Sequence, residues 1–111
     1  MIYKIFRESE WKDAQSAGIF FGSPDDLRDG FIHFSAGNQV RATCDRYFSK
    51  GDNLVLAAAD DAVLDALKWE VSRGGDKFPH LYGPLNVSAI RTVSYIRRGP
   101  DGRLIFPPEI P

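Results

Sequence analysis

The chain has 111 residues, with 14 basic and 15 acidic side chains and a formal net charge of −1, which favours neither nucleic acid nor an anionic membrane as a partner. A length of 111 residues predicts one domain, 1–111, and no apolar stretch approaches the roughly 20 residues that cross a bilayer. One cysteine and the lack of a basic, apolar leader lead us to expect a cytoplasmic protein, while the oligomeric state stays open.

The chain begins with a predicted strand and helix. Residues 2–6, IYKIF, are rich in isoleucine and aromatic side chains that suit a half-buried strand. Ser9 can accept a hydrogen bond from an unpaired backbone N–H of a following helix, so we expect it to cap that helix. Gly18 is expected to end the helix.

A short turn and a second strand follow. Ser23 before Pro24 is the order in which serine caps a helix and proline takes its first position, which predicts a single helical turn. Asp29 and Gly30 end this turn and lead into a predicted strand over 31–34, FIHF. This strand carries one of the two histidines of the chain.

The middle of the chain predicts a helix packed on a buried strand. Between residues 36 and 48 the apolar positions follow the stripe of an amphipathic helix, at Val40, Cys44, Tyr47 and Phe48. Residues 51–53, GDN, have the composition of a turn, and 54–59, LVLAAA, have the length and apolarity of a buried strand. Cys44 is then expected to be an inert core thiol.

The second half predicts short elements and a hairpin. A helical piece is expected over 60–67 and a brief strand over 68–71. Residues 72–80, SRGGDKFPH, contain two glycines and a proline, which predicts a loop. Two β-rich runs on either side of residues 99–102, GPDG, predict a hairpin. The mixed order of helices and strands predicts an α+β fold.

The two histidines are the first candidates for chemistry near neutral pH. Strand alternation places His33 on the same face as Phe31. A buried imidazole satisfied by backbone or hydroxyl groups explains His33 as well as a binding role does. His80 ends the predicted loop, where Pro79 and the following LYGP favour a rigid position, and an exposed loop histidine is the alternative.

Three further side chains are weaker candidates. Ser35 follows His33 by two residues, but this spacing makes a poor pair of nucleophile and base, and no GxSxG motif is present. Glu70 is a candidate general base or hydrogen-bond anchor, and Arg73 faces either an anionic ligand or solvent. Two histidines and one cysteine without close spacing predict no metal site, and the glycine motifs of dinucleotide and phosphate loops are lacking.

Several blocks of the sequence resemble the bacterial family called domain of unknown function 952. They are IYKIF with EW nearby, DGFIHFS with QV, and WE followed by FPHLYGPL, in family order from residue 2 to about residue 90. The fold of that family is similar to that of ADP-ribosyltransferases, in which a split, strongly curved sheet grips NAD. The resemblance therefore implies a split, curved mixed β-sheet with short flanking helices.

The resemblance also implies a site. GFIHFSA is similar to the block whose aromatic residue stacks on nicotinamide, with His33 in place of a tyrosine, and to the G-H-S block of RNA 2′-phosphotransferases, which use NAD. FPHLYGPL places His80 where ADP-ribosylating members carry a glutamate that stabilises the transition state. A neutral histidine does not supply that negative charge. Lys4 falls near a position where relatives carry a ribose-binding histidine or arginine.

We hypothesise a cleft that binds NAD or an ADP-ribose-like nucleotide and acts as a transferase, bordered by His33, Ser35, His80 and Tyr82. His33 or Tyr82 would position a planar base, and His80 would contact a ribose hydroxyl or a phosphate, with Glu70 and Arg73 as second-rank contacts. One alternative is a non-catalytic module that binds a small molecule or a protein. Another is an RNA-end-processing enzyme, which the near-neutral charge disfavours.

Overall fold

The computed structural model describes residues 1–48 and 53–111, so the predicted turn at 51–53 lies partly outside the described residues. Its strands are β1 (Ile2–Arg7), β2 (Ile19–Phe20), β3 (Ile32–His33), β4 (Leu54–Ala59), β5 (Leu67–Val71), β6 (Lys77–Leu81), β7 (Leu85–Asn86), β8 (Ile90–Arg98) and β9 (Leu104–Ile105). Its α-helices are α1 (Glu8–Ala17), α2 (Pro24–Asp29) and α3 (Val40–Tyr47). The predicted α+β class is confirmed.

The described strands are divided among three sheets. Their orders are β1-β4-β8-β9, β2-β7 and β3-β6-β5. Each of these strand pairs is antiparallel, so the expectation of a mixed sheet is wrong for the described chain. A parallel pair needs a crossover that returns the chain to the same end of the sheet, whereas here neighbouring strands run in opposite directions. An isolated bridge between Tyr3 and Ser35 joins β1 to the chain that follows β3.

Helix α1 begins one residue before the predicted cap. The prediction that Ser9 caps this helix is wrong, because the helix starts at Glu8 after Arg7. The carboxylate of Glu10 accepts a hydrogen bond from the backbone N–H of Arg7 at 2.9 Å and so fixes the first turn. Gly18 ends the helix with a φ of 77°, as predicted.

Helix α2 has the predicted capping chemistry at both ends. Ser23 is the N-cap, Pro24 takes the first helical position, and Gly30 ends the helix with a φ of 84°. The backbone N–H of Asp26 donates to Ser23 Oγ at 3.2 Å, and the backbone N–H of Ser23 donates to Asp26 Oδ2 at 2.9 Å. This reciprocal cap fixes the position of the Asp26 carboxylate.

Helix α3 is shorter than predicted. A 3-10 turn over Gly37–Gln39 precedes it, and Val40 and Cys44 are buried as expected. The prediction that Tyr47 faces the core is wrong, since it is the last residue of the helix and is 52% exposed. Burial raises the pKa of the Cys44 thiol to about 12, which agrees with an inert core residue.

Two further predictions of local structure are corrected by strand pairing. The expected helical piece over 60–67 is reduced to a 3-10 turn at Asp61–Val63, because β5 already begins at Leu67. The prediction that His80 lies in a loop is wrong: residues 77–81 form β6, the central strand of its sheet. Pro79 has no N–H to donate in this strand, but its carbonyl accepts a hydrogen bond from the N–H of Phe34 at 3.0 Å.

The core lies on both faces of β4. All six residues of this strand are buried. Val55, Ala57 and Ala59 pack in one hydrophobic cluster with Phe6 and Trp11, whereas Leu54 and Leu56 pack in a second cluster with Cys44 and Ile96. The period of two between successive strand residues produces this alternation. The predicted hairpin is also confirmed, as β8 pairs with β9.

Candidate functional site

Strands β3 and β6 bring the two histidines together. His33 and His80 are directly paired partners in the antiparallel register, and their ring centroids are 5.9 Å apart. Directly opposed residues of an antiparallel pair project to the same face of the sheet. The two side chains therefore share one surface although 47 positions separate them in the chain.

A cleft opens over this surface, and we call it the histidine cleft. Its volume is about 220 Å³, and its lining includes charged, hydroxyl and aromatic side chains, among them Lys4, Asp26, His33, Ser35, Arg73 and His80. The first strand, helix α2, helix α3 and strand β6 all contribute to these walls. The cleft therefore depends on segments that are distant in the sequence.

Asp26 is the buried centre of one wall. Its side chain is 2% exposed, and its two oxygens accept hydrogen bonds from Lys4 Nζ at 3.3 and 3.0 Å. Oδ1 also accepts from the backbone N–H of His33 at 3.1 Å and lies 2.6 Å from His33 Nδ1. Burial alone would raise the pKa of Asp26, but the hydrogen bond from His33 and the charge of Lys4 hold it well below its ordinary value. Asp26 is therefore an ionised anchor of the wall.

Both ring nitrogens of His33 face carboxylates. Nδ1 lies 2.6 Å from Asp26 Oδ1, and Nε2 lies 2.9 Å from Asp29 Oδ2. Hydrogen bonds from Arg28 and His33 lower the pKa of Asp29, so both acceptors are ionised. Ionised carboxylates only accept hydrogen bonds, and the imidazolium form is the one that donates at both nitrogens. This geometry positions the ring and leaves neither nitrogen free to take a proton from a ligand.

His80 has a different arrangement. Its Nδ1 lies 2.8 Å from Glu70 Oε1, which also accepts a hydrogen bond from the Tyr82 hydroxyl at 2.6 Å. The carboxylate fixes the tautomer that carries a proton on Nδ1, which leaves Nε2 as the acceptor in the neutral ring. Within the described chain, Nε2 of His80 has no hydrogen-bond partner. His80 is therefore the histidine that can bind or deprotonate a hydroxyl.

Glu70 and Tyr82, which are joined by a hydrogen bond, also perturb each other's pKa. Hydrogen bonds from Tyr82 and His80 lower the pKa of Glu70, and the same bond to Glu70 raises the pKa of the Tyr82 phenol. Glu70 thus remains an ionised acceptor, and Tyr82 remains a donor. Glu70 thus holds His80 directly, and Tyr82 acts on His80 through Glu70.

Aromatic stacking holds the imidazole of His80. The Phe31 ring stacks on it with centroids 3.9 Å apart and an interplanar angle of 23°. Phe31 also contacts His33 at 4.5 Å and Tyr82 at 5.4 Å between centroids. His80 is 5% exposed in this cluster, so the expected alternative of an exposed loop histidine is wrong. The rings of Phe31, His33 and His80 give the cleft a surface suited to a planar group.

Arg73 and two hydroxyl groups form another part of the lining. Arg73 Nη2 donates to Thr43 Oγ1 at 3.1 Å, and Thr43 Oγ1 lies 3.3 Å from Ser35 Oγ. The guanidinium lies over the rings of Tyr47 and Phe78 at 5.4 and 4.9 Å from their centroids. These contacts restrict a long side chain to the cleft.

The structure brings together the residues singled out from the sequence. His33, Ser35, Arg73 and His80 line the cleft. Glu70 and Tyr82 do not line it: Glu70 contacts His80, and Tyr82 donates to Glu70. Lys4 lies in the wall as the ion-pair partner of Asp26. Sequence reasoning missed Asp26, Thr43 and Phe31 as site residues. The capping sequence SPDD, residues 23–26, could have indicated Asp26, because the fourth residue of such a sequence turns its carboxylate back toward the N-cap serine.

Two absences hold for the described residues. No group of three or more histidine, cysteine, aspartate or glutamate side chains is arranged to hold a metal ion in that part of the chain. In the same residues, no helix is both long and apolar enough to cross a membrane.

Comparison with known proteins identifies sequence and structural relatives. A family model described as "Protein of unknown function (DUF952)" matches residues 5–93. The crystal structure of protein CC0527 from Caulobacter crescentus is 45% identical, covers 94% of this chain and 92% of its own, and superposes with a TM-score of 0.85. The solution NMR structure of CC0527 gives 46% identity, coverage of 91% and 88%, and a TM-score of 0.79. Among curated proteins no match is found.

Proposed function

The chain belongs to the family of proteins of unknown function called DUF952, and from this premise we propose that the histidine cleft binds a small nucleotide-like ligand of the NAD or ADP-ribose class. One observation carries the proposal: His33 and His80 meet in one cleft, with Phe31 stacked on His80. Aromatic rings can stack on a nucleotide base, and fixed polar groups beside them can form hydrogen bonds to its ribose. The resemblance of GFIHFSA and FPHLYGPL to blocks of the ADP-ribosyltransferase superfamily supports the same ligand class.

The size of the cleft limits how much ligand it encloses. Pockets that bury most of a drug-sized ligand have volumes of about 300–1,000 Å³. The histidine cleft, at about 220 Å³, is smaller. We therefore expect it to enclose one part of a dinucleotide, such as a ring with its ribose, while the remainder lies on the surface.

The two histidines take different roles in this proposal. His33 is held by Asp26 and Asp29 through both nitrogens, so its ring is fixed and shapes the wall. His80 presents Nε2 and can accept a hydrogen bond from a ribose hydroxyl. Glu70 positions His80 and does not itself need to touch the ligand.

Group transfer is the second candidate function, and the pair formed by Glu70 and His80 favours it. A carboxylate that orients a histidine is a recurrent arrangement for general-base catalysis. Here Nε2 of His80 would take the proton of an attacking hydroxyl, whose oxygen bonds to the anomeric carbon of the ribose. Nicotinamide would leave with the electrons of its bond to that carbon. The non-catalytic binding module uses the same cleft without this step.

Calorimetric titration with NAD and with ADP-ribose tests the binding proposal. We expect heat with at least one ligand and a dissociation constant about 5- to 100-fold higher in Phe31→Ala, the range for loss of one stacked ring. Phe21→Ala is the matched control, because Phe21 is 67% exposed and lies outside the lining of the cleft. Folded protein that releases no heat with either ligand overturns the proposal.

Chromatographic detection of nicotinamide released from NAD tests the transfer function. Glu70→Gln should slow the release without changing the NAD dissociation constant, because Glu70 acts through His80. Binding of NAD without any release selects the non-catalytic module.

A further inference from the structure

We infer that Arg73, Thr43 and Ser35 form an anion subsite of the histidine cleft that recognises a phosphate or diphosphate group. This inference deepens the proposed function, and the nucleotide class rests on that function. The subsite itself rests on a separate set of contacts. All three side chains line the same cleft.

The first argument is the charge of Arg73. Two arginines line the cleft, and the other one, Arg28, pairs with Asp25 at 3.1 Å and Asp29 at 2.9 Å. Arg73 has no carboxylate within ion-pair distance in the described chain, and its N–H groups donate to the hydroxyl oxygens of Thr43 and Tyr47. A guanidinium has five N–H donors in a planar fork that matches two phosphate oxygens. Arg73 therefore has donors left for an anion.

The second argument is the number of hydroxyl protons. Ser35 and Thr43 have one hydroxyl proton each, and the contact of 3.3 Å between their oxygens uses one of the two. Arg73 is a donor to Thr43 and accepts nothing. One hydroxyl proton therefore remains without an acceptor in the described part of the chain. An anionic oxygen beside Arg73 would accept it.

The third argument is that each neighbouring acid already has a cationic partner. Asp26 is paired with Lys4 and His33, and Asp25 and Asp29 are paired with Arg28. Lys4 and Arg28 thus compensate two of these three negative charges, and His33 forms further hydrogen bonds to Asp26 and Asp29. These pairings reduce the repulsion that an anion meets as it approaches Arg73.

The fourth argument is that the subsite is preorganised. Ser35 is 3% exposed, and its backbone exchanges two hydrogen bonds of 2.8 Å with Tyr3. Arg73 is half-buried and lies over the rings of Tyr47 and Phe78. Little side-chain entropy remains to be lost when an anion binds. A fully solvated surface arginine would lack these ring contacts.

Titration with pyrophosphate, followed through backbone amide shifts in ¹H–¹⁵N NMR spectra, tests the subsite. We expect the largest shifts near Ser35, Thr43 and Arg73. In Arg73→Ala the dissociation constant should rise about tenfold or more, since hydrogen bonds to a charged group are lost. Thr43→Val, which keeps the shape but removes the hydroxyl, should weaken binding severalfold. Arg103→Ala is the matched control, because the side chain of Arg103 is 88% exposed.

Parallel titrations with ADP-ribose and NAD separate this inference from the proposed function. ADP-ribose binding that is equal in the wild type and Arg73→Ala overturns the subsite and leaves the nucleotide proposal intact. Pyrophosphate binding that depends on Arg73, without any binding of ADP-ribose or NAD, supports the subsite and overturns the nucleotide proposal. Absence of pyrophosphate shifts at these three residues in folded protein overturns the subsite.

Discussion

Replacement of Lys4 by methionine should destabilise the fold strongly. Methionine keeps most of the length of lysine but leaves the buried carboxylate of Asp26 without its cation. The two side chains are 6% and 2% exposed, and Nζ lies 3.0 Å from Oδ2. At that separation two unit charges attract by about 5 kcal/mol for an effective dielectric constant of about 20. Loss of one partner of a buried ion pair has a similar cost, about 3–5 kcal/mol.

Urea unfolding at pH 7 measures this cost as the change in free energy of unfolding. Lys12→Met is the matched control, since Lys12 is 72% exposed in its pair with Glu8 and should cost at most about 0.5 kcal/mol. In a double-mutant cycle, Lys4→Met and Asp26→Asn together should cost about 1–3 kcal/mol less than the sum of the single changes. Equal costs for Lys4→Met and Lys12→Met would refute the buried pair.

Three further predictions follow from perturbed pKa values. The pKa of Asp26 in the folded protein lies below its ordinary value of 3.8. The ionised carboxylate therefore stabilises the fold fully above pH 3.8, and this stabilisation is lost as the pH falls toward the folded pKa. The urea concentration at the unfolding midpoint should fall between about pH 7 and 2.5, and it should fall less steeply in Asp26→Asn. Burial raises the pKa of the Cys44 thiol to about 12. A disulfide reagent at pH 8 should therefore modify Cys44 only after the protein unfolds, and rapid reaction of the native protein would contradict its burial. Glu70→Gln should lower the pKa of the Tyr82 phenol toward its ordinary value. Ultraviolet titration measures this pKa, with Tyr82→Phe as the reference that identifies the Tyr82 signal. An unchanged titration would contradict the hydrogen bond.

Local chemistry allowed the sequence to predict part of the fold. Ser23, Pro24 and Gly30 define helix α2 through contacts within a few residues, so their pattern suffices. The apolar residues at 54–59 likewise predict a buried strand wherever its partners lie. His33 was recognised as a site candidate because few residue types titrate near neutral pH.

Tertiary pairing decides the elements that sequence reasoning placed wrongly or missed. Gly74, Gly75 and Pro79 have the composition of a loop, yet pairing with β3 and β5 makes residues 77–81 a central strand. The contact between Lys4 and Asp26 joins residues that are 22 positions apart, and no local sequence pattern predicts it. The opposed register of the two histidines is also a property of the sheet, and a shift of one residue would separate them.

The complete burial of β4 has a consequence for synthesis of the chain. LVLAAA carries no charge and no proline, the features that otherwise discourage intermolecular strand pairing. Its first partner, β1, has already left the ribosome when β4 emerges, but its second partner, β8, lies about 30 residues further along. A nascent chain that ends between them therefore exposes one uncovered edge of an apolar strand. During translation this edge is the place where chaperones would protect the chain and where stalled chains would aggregate.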